Sequence, residues 1–493
     1  MSTAPTALDA LRRAELAFPP PSGPFTPLLP PSNSPRRTRT LPSLPLRPAS
    51  SYCPSWSVHT YIVPAAFPRT QRNGTRPSGS PSPVAHRPPR GRDGGQKLDL
   101  LELQEDVLGT QIRTVQQPVL DVEDDEAVEE QEQLYLAVNR YVPLRLAKRE
   151  KKADGRKGLT LVLAHGTGMC KEIWEPVLQA LTYELEKEGD VRVDEVFSVD
   201  TVNHADSAVL NEAVMGKGSN WCDSGRDLLN FLFCYLDSPT FSAPYPSSVS
   251  PPLLEPGTVE PAELALDSLH PPPQGSPLCP ARTFRGRAIV GVGHSSGGSH
   301  IGFAASAAPY IFSSLILYDP WIIAKDFNGC TADSPFFRSV ALRRDSWTTK
   351  EEAVKACSEK GFFKAWDREV NEMFLKHGLR EMPDGTTALK TPAAIERLIY
   401  SNPYGWHGAY LFRRLRALDT SLPISFLLPP RGQSIVDEGQ LRLVIDGLPW
   451  ASFERIPKSN HLTPQIQPKR VGGMLARKLR ETYGREAVAK PKL

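Results

Sequence analysis

The chain has 493 residues with 58 Lys+Arg against 55 Asp+Glu, and the resulting charge of +3 gives no argument for nucleic acid or a membrane surface as partner. A hydrophobic content of 40% is enough for a sizeable core, while 49 prolines indicate that part of the length is not packed. Seven scattered cysteines without a C-x-x-C pair argue against a disulfide scaffold or a zinc site, and no run approaches the roughly 18–20 apolar residues of a membrane span, so the chain reads as soluble and intracellular.

Residues 1–95 are rich in Pro, Ser and Arg, a composition that cannot bury enough apolar surface to offset the entropy of ordering, and most of this segment is expected to be disordered. Its exception is Ser55 to Val63, where Trp56, Val58 and Tyr61-Ile62-Val63 form a candidate edge strand. The basic start, with only Asp9 and Glu15 as acids before residue 90, vaguely resembles a mitochondrial presequence, although a plain extension is the expectation. Residues 96–133 form an acidic flexible segment ending in the run Asp121 to Glu132, and a basic run follows at Lys148 to Lys157; both read as solvated loops.

A single domain is expected over 134–484, followed by a tail at 485–493. Leu134 to Val138 and Tyr141 to Leu144 read as a strand, and Thr160 to Ala164 as a buried one. Helical spacing of Val177, Leu178, Leu181 and Leu185 marks Glu175 to Lys187. A strand over Val191 to Val199 and a helix over Asp227 to Leu236 follow, then a Pro/Ser-rich insertion, 238–284, expected to be disordered. Ala288 to Val292 and Ser314 to Tyr318 are strands. The stretch 321–416 is expected to be a helical cap without clear strands, with helices over Thr349 to Lys360 and Phe362 to His377. Strands at Ile424 to Leu428 and Phe453 to Ile456 and a helix over Pro468 to Tyr483 complete the pattern. Alternating strands and helices imply an α/β fold: a mostly parallel sheet with helices on both faces.

Gly293-His294-Ser295-Ser296-Gly297 fits G-x-S-x-G and lies between the strand Ala288 to Val292 and a small-residue helix. That context is the nucleophile elbow of α/β-hydrolases, in which serine sits on a strained turn between strand and helix. A serine hydroxyl is a weak nucleophile and needs a base within reach and a carboxylate to orient the base. His461, in the loop after the last strand, is the favoured base; His407 in the cap and His294 and His300 in the elbow are the competitors. Asp319, directly at the end of the strand after the elbow strand, is the favoured acid, and Asp437 or Glu438, beyond the next strand, is the alternative. The oxyanion hole is expected from the N–H of Ser296 and from the turn Thr167-Gly168 after the strand ending at Ala164. No cofactor or metal is expected.

Further strings extend the pattern. His165-Gly166-Thr167-Gly168 with Lys171-Glu172 and Glu175-Pro176 resembles the oxyanion loop and first helix of the fungal toxin-biosynthesis and acyl-CoA hydrolases, a group that includes those of the AK-toxin and mycophenolic acid pathways. Asp200 to Asn203 with His204, Asp206-Ser207 and Asn211 is similar to their next loop, as are Arg343-Arg344-Asp345 with Trp347 and Phe363 with Trp366-Asp367 in the cap. Ser459-Asn460-His461-Leu462 with Pro464 resembles their histidine loop. The likeness covers roughly residues 55–70, 134–237 and 285–470, and departs in the N-terminal extension, the acidic run and the 238–284 insertion. It implies an α/β-hydrolase fold, an acid at Asp319 and a small-molecule acyl substrate, an acyl-CoA thioester first and a carboxylic ester second. Epoxide or haloalkane chemistry is disfavoured, because those relatives carry aspartate at the position of Ser295. Members often end in a peroxisomal tripeptide; Pro491-Lys492-Leu493 is similar to S-K-L, so a peroxisomal import receptor is the expected partner, with cytoplasmic or mitochondrial residence as alternatives. A non-catalytic binding protein with Pro-rich interaction arms is the second functional reading.

Overall fold

The computed structural model describes residues 25–31, 39–47, 50–80, 86, 125–144, 158–218, 220–246, 250–258, 266, 283–324, 339–340, 343–359, 361–400, 406–418 and 420–484. Its main sheet has eight strands, β1 (Trp56–Pro64), β2 (Tyr135–Pro143), β3 (Gly158–Ala164), β4 (Arg192–Val199), β5 (Ala288–His294), β6 (Phe312–Tyr318), β10 (Ile424–Leu428) and β11 (Ser452–Arg455), in the order β1-β2-β4-β3-β5-β6-β10-β11. From β4 to β11 all pairings are parallel, and only β2 runs against its neighbours β1 and β4.

Period-2 alternation assigns the side chains of the central strands to two layers. Leu161, Leu163, Val290, Val292, Ile316 and Leu427 enter one core, where the helices Glu175–Glu188 and Pro468–Tyr483 pack on each other. Val162, Ile289, Leu315, Leu317, Phe426 and Leu428 enter the other, under the helices Trp221–Cys234, Ser296–Ala307 and Trp406–Arg416. Both faces are covered, so the strands read as nearly continuous apolar runs.

The segment between β6 and β10 carries the helices Lys350–Glu359, Gly361–Lys364, Arg368–His377, Ala393–Tyr400 and Trp406–Arg416. It also holds three short strands, β7 (Ser346–Trp347), β8 (Leu379–Glu381) and β9 (Thr387–Leu389), in an antiparallel sheet, which corrects the expectation of a strandless cap. The helix expected over Phe362 to His377 is two helices, because Asp367 accepts a hydrogen bond from the Glu369 N–H (2.9 Å) and caps the second.

Two segments expected to be disordered are in part packed. Phe25, Leu28 and Leu44 are buried, and the fully buried Arg226 donates to the carbonyls of Thr26 (2.7 Å), Pro27 (2.7 Å) and Pro68 (2.8 Å), docking the N-terminal residues onto the helix Trp221–Cys234. Three carbonyls and the Asp223 carboxylate (2.6 Å) satisfy this guanidinium, which makes its burial tolerable. In the 238–284 insertion, Leu254 is buried and the Tyr245 hydroxyl bonds both the N–H (3.2 Å) and the carbonyl (2.9 Å) of Thr60 on the edge strand. Within the acidic run, Asp125–Glu129 is a short helix that buries Val128, in place of the expected solvated loop. The basic run Lys148 to Lys157 and the terminal Pro491-Lys492-Leu493 lie outside the described residues.

Candidate active site

Register brings three strand ends together: Ala164 of β3 lies beside Gly293 of β5, and His294 of β5 beside Tyr318 of β6. The loops leaving these strands therefore emerge side by side at the carboxyl edge, where ligand sites form in open α/β sheets. Ser295 follows β5 with φ 56° and ψ −125°, a conformation costing about 1–3 kcal/mol that surrounding contacts must hold. Its N–H donates to the Tyr318 carbonyl (3.0 Å), and its own carbonyl accepts from the Gly298 N–H (3.0 Å). The turn also needs bare backbone: a Cβ on Gly293 would lie 2.5 Å from Gly298 Cα, and one on Gly297 2.3 Å from the Ala164 carbonyl oxygen.

His461 Nε2 lies 3.1 Å from Ser295 Oγ, and His461 Nδ1 lies 2.7 Å from Asp319 Oδ2. The Asp319 carboxylate also accepts from Ser434 Oγ (2.5 Å) and from the Ile435 N–H (3.1 Å). Those donors come from the loop after β10, the same loop that holds the alternative acids. Asp437 there caps the helix Glu438–Gly447, accepting from the N–H groups of Gly439 (2.9 Å) and Gln440 (3.0 Å). Glu438 pairs with Arg455 at 2.8 Å. Neither is placed with His461, whereas Asp319 is.

The competing histidines are also placed elsewhere. His407 stacks on Trp221 with ring centroids 5.5 Å apart, and its Nε2 accepts from the Trp221 N–H (3.2 Å); burial holds its pKa well below the usual range. Burial pushes His300 down to about 3. His294 donates through Nε2 to the His461 carbonyl (2.8 Å) and does not reach toward the serine as a base. Sequence reading did not anticipate Ser434 and Ile435, whose hydrogen bonds to Asp319 span more than a hundred residues.

The loop after β3 runs against the elbow. A Cβ on Gly166 would sit 3.1 Å from Ser295 Cβ, Gly168 adopts φ +79°, and Thr167 Oγ1 donates to Ser296 Oγ (3.0 Å). Ser296 opens its helix, so its N–H has no intrahelical acceptor. Behind this loop lies a closed ionic cluster. Lys171 Nζ contacts Glu172 (2.9 Å), Asp200 (2.8 Å) and Asp206 (2.6 Å), and Lys390 reaches the other Asp206 oxygen (2.5 Å). Burial alone would lower the Lys171 ammonium, but the three carboxylates outweigh it and hold its pKa well above the ordinary lysine value. Among the described residues, no group of three or more His, Cys, Asp or Glu side chains is arranged to hold a metal, and no helix is long and apolar enough to cross a membrane.

The chain belongs to the alpha/beta hydrolase family, whose match runs over residues 161–472. It is similar to the peroxisomal membrane protein LPX1 of Saccharomyces cerevisiae, 29% identical over 228 residues that make up 44% of this chain and 48% of that one. It is also similar to the type I acyl-CoA thioesterase mpaH of Penicillium brevicompactum, 24% identical over 258 residues, 52% of this chain and 47% of that one. The chain thus spans about half the length of these relatives. Among solved structures, the peroxisomal alpha-beta-hydrolase Lpx1 from Saccharomyces cerevisiae superposes with a TM-score of 0.58 at 19% identity, covering 89% of this chain and 91% of that one, a likeness of fold.

Proposed function

We propose that the protein is a serine hydrolase of acyl thioesters or esters, with Ser295 as nucleophile, His461 as base and Asp319 as the orienting acid. The observation that carries this reading is the continuous line of contacts from Ser295 Oγ through His461 to Asp319, at 3.1 and 2.7 Å. Ser295 Oγ adds to the carbonyl carbon as its proton passes to His461 Nε2, and the electron pair of the C=O bond moves onto oxygen. That oxyanion is met by the N–H of Ser296 and by N–H donors of the Thr167-Gly168 turn, where loss of one donor typically costs about 3–4 kcal/mol. Collapse of the adduct expels a thiolate or alkoxide, which takes the proton back from His461 and leaves an acyl-serine. Water activated by the same histidine then releases the acid. Asp319 holds the Nδ1–H tautomer and stabilises the imidazolium without accepting its proton.

An acyl-CoA thioester is the preferred substrate class, supported by the similarity to the type I acyl-CoA thioesterase of Penicillium brevicompactum, with a carboxylic ester second. Peroxisomal residence is supported by the name of the yeast relative, and Pro491-Lys492-Leu493 is the candidate signal for the import receptor. The hydrolase unit of 134–484 takes in the packed residues between 25 and 80 as well. Treating the full-length protein with a fluorophosphonate probe and assaying it on acyl-CoA and short esters tests the proposal. Labelling and turnover that vanish in Ser295→Ala are expected. No labelling and no turnover in the unmodified protein would leave the binding-protein reading in their place.

A further inference from the structure

The base is held by its main chain as well as by its ring. The His461 N–H donates to the Gln433 carbonyl (3.0 Å), in the stretch that also supplies Ser434 and Ile435 to Asp319. The His461 carbonyl accepts from His294 Nε2 (2.8 Å), the side chain immediately before the nucleophile. One peptide group of the base is thus tied to the loop that bonds the acid and the next to the nucleophile's own neighbour. The opposite edge of the His294 ring faces the oxyanion loop, since a Cβ on Gly166 would lie 3.0 Å from His294 Nδ1. His294 therefore touches the base loop and the oxyanion loop while its backbone continues into Ser295.

We infer that His294 is a positioning residue: its Nε2–H sets the distance between His461 and Ser295, and its Nδ1 edge sets how closely Gly166 approaches the nucleophile. This rests on the assignment of Ser295, His461 and Asp319 as the triad. The chemistry of the ring fits the role. A carbonyl oxygen can only accept, so Nε2 carries the hydrogen and Nδ1 is a bare lone pair, buried and without a hydrogen-bond partner among the described residues. Burial, and then the neighbouring His461, push the His294 pKa down to about 3. The ring stays neutral wherever the enzyme would work. A second imidazolium with its centroid 5.0 Å from that of His461 would oppose the positive charge His461 acquires as Ser295 attacks.

Three substitutions in the full-length protein separate positioning from packing. His294→Gln places an N–H the same number of bonds from Cβ as Nε2; His294→Asn stops at the Nδ1 position; His294→Phe keeps the ring without a donor. For Asn and Phe, kcat is expected to fall about 100-fold, the scale of a 1 Å misplacement, with KM little changed. The fluorophosphonate labelling rate should fall in parallel, and Gln should recover most of both. Native rates in Asn and Phe would overturn the inference, as would equal losses in all three that follow their melting temperatures. A second measurement needs no variant: ¹⁵N-histidine NMR of the native protein should find His294 as the Nε2–H tautomer from pH 5 to 8, and an Nδ1–H tautomer would overturn it. Ser295→Ala in the same series distinguishes the two claims. If it stays active the triad assignment fails; if it is dead while His294→Phe is native-like, only the role of His294 fails.

Discussion

Two buried polar clusters meet at the oxyanion loop, and they are built on opposite plans. Around Lys171, every carboxylate faces a cation, the lysine is wholly enclosed, and Asp206 is shared by two ammonium groups. Around Ser295, the serine is held on a left-handed backbone, and the His461 side chain keeps 18% of its surface accessible. Only one edge of the His461 ring is committed to a carboxylate, while the other meets a neutral hydroxyl. The first cluster compensates charge; the second sets an imidazole nitrogen against the hydroxyl of a serine on strained backbone. Polar burial alone does not mark a candidate site; a strained serine backbone beside an imidazole nitrogen that meets only a neutral hydroxyl does.

The difference breaks most directly at the proposed triad. Ser295→Ala or His461→Ala is expected to lower turnover about a million-fold with little change in the denaturation midpoint. Asp319→Asn should cost about 10⁴-fold, since the wrong histidine tautomer is then favoured. Steady-state kinetics beside urea titrations would check this, and a triad variant that lost stability in place of turnover would merge the two clusters into one structural class. Lys171→Met sits on the other side. It strands Asp200, Glu172 and one oxygen of Asp206 without their cation, and should cost about 3–5 kcal/mol of stability.

Acid should separate the regions further. His294, His300 and His377 are all held near 3, burial being the main cause at each, while an unfolded histidine takes its proton near 6.5. The unfolded chain therefore binds more protons between these values. The stability these groups contribute is complete above pH 6.5 and is lost as pH falls toward 3. At pH 5 the loss is about 2 kcal/mol for each histidine that stays neutral in the fold. Denaturation midpoints measured from pH 7.5 to 4.5 should fall steeply, and replacing His300 with Asn or Gln should flatten the slope. A midpoint independent of pH would mean these rings are hydrated.

Much of the serine side of the candidate site was legible because its signals are local. Five consecutive residues carry the elbow, and Asp319 stands directly on its strand end, so the continuous apolar runs of β5 and β6 located both. The three-stranded cap sheet was not legible, since strands of two or three residues are too short to display alternation. Asp367 did carry a readable signal, being a preferred N-cap residue inside an otherwise helical stretch. The docking of the N-terminal residues was hidden for a different reason. Composition averages over the whole segment, whereas the anchoring depends on Phe25, Leu28 and one distant guanidinium reaching three carbonyls. Ser434 and Ile435 were invisible on the same grounds: their contact with Asp319 exists only once β6 and β10 are paired.

The smallest expected effect bears on the acid. Asp437 lies where a carboxylate after the strand beyond β6 would stand, yet its oxygen is occupied by two N–H groups of the helix it opens. Asp437→Ala should cost about 1 kcal/mol of stability, the usual loss for an aspartate cap, and leave turnover essentially intact. Asp437→Asn should cost less, because asparagine caps nearly as well. The structure gives Asp319 the opposite profile: its two oxygens serve Ser434, Ile435 and His461, and none of these contacts secures a helix end. Measured side by side, Asp319→Asn and Asp437→Asn should differ by about four orders of magnitude in turnover while remaining similar in stability. If Asp437→Asn is the damaging change, the loop after β10 carries the acid, and the contact between Asp319 and His461 only supports it.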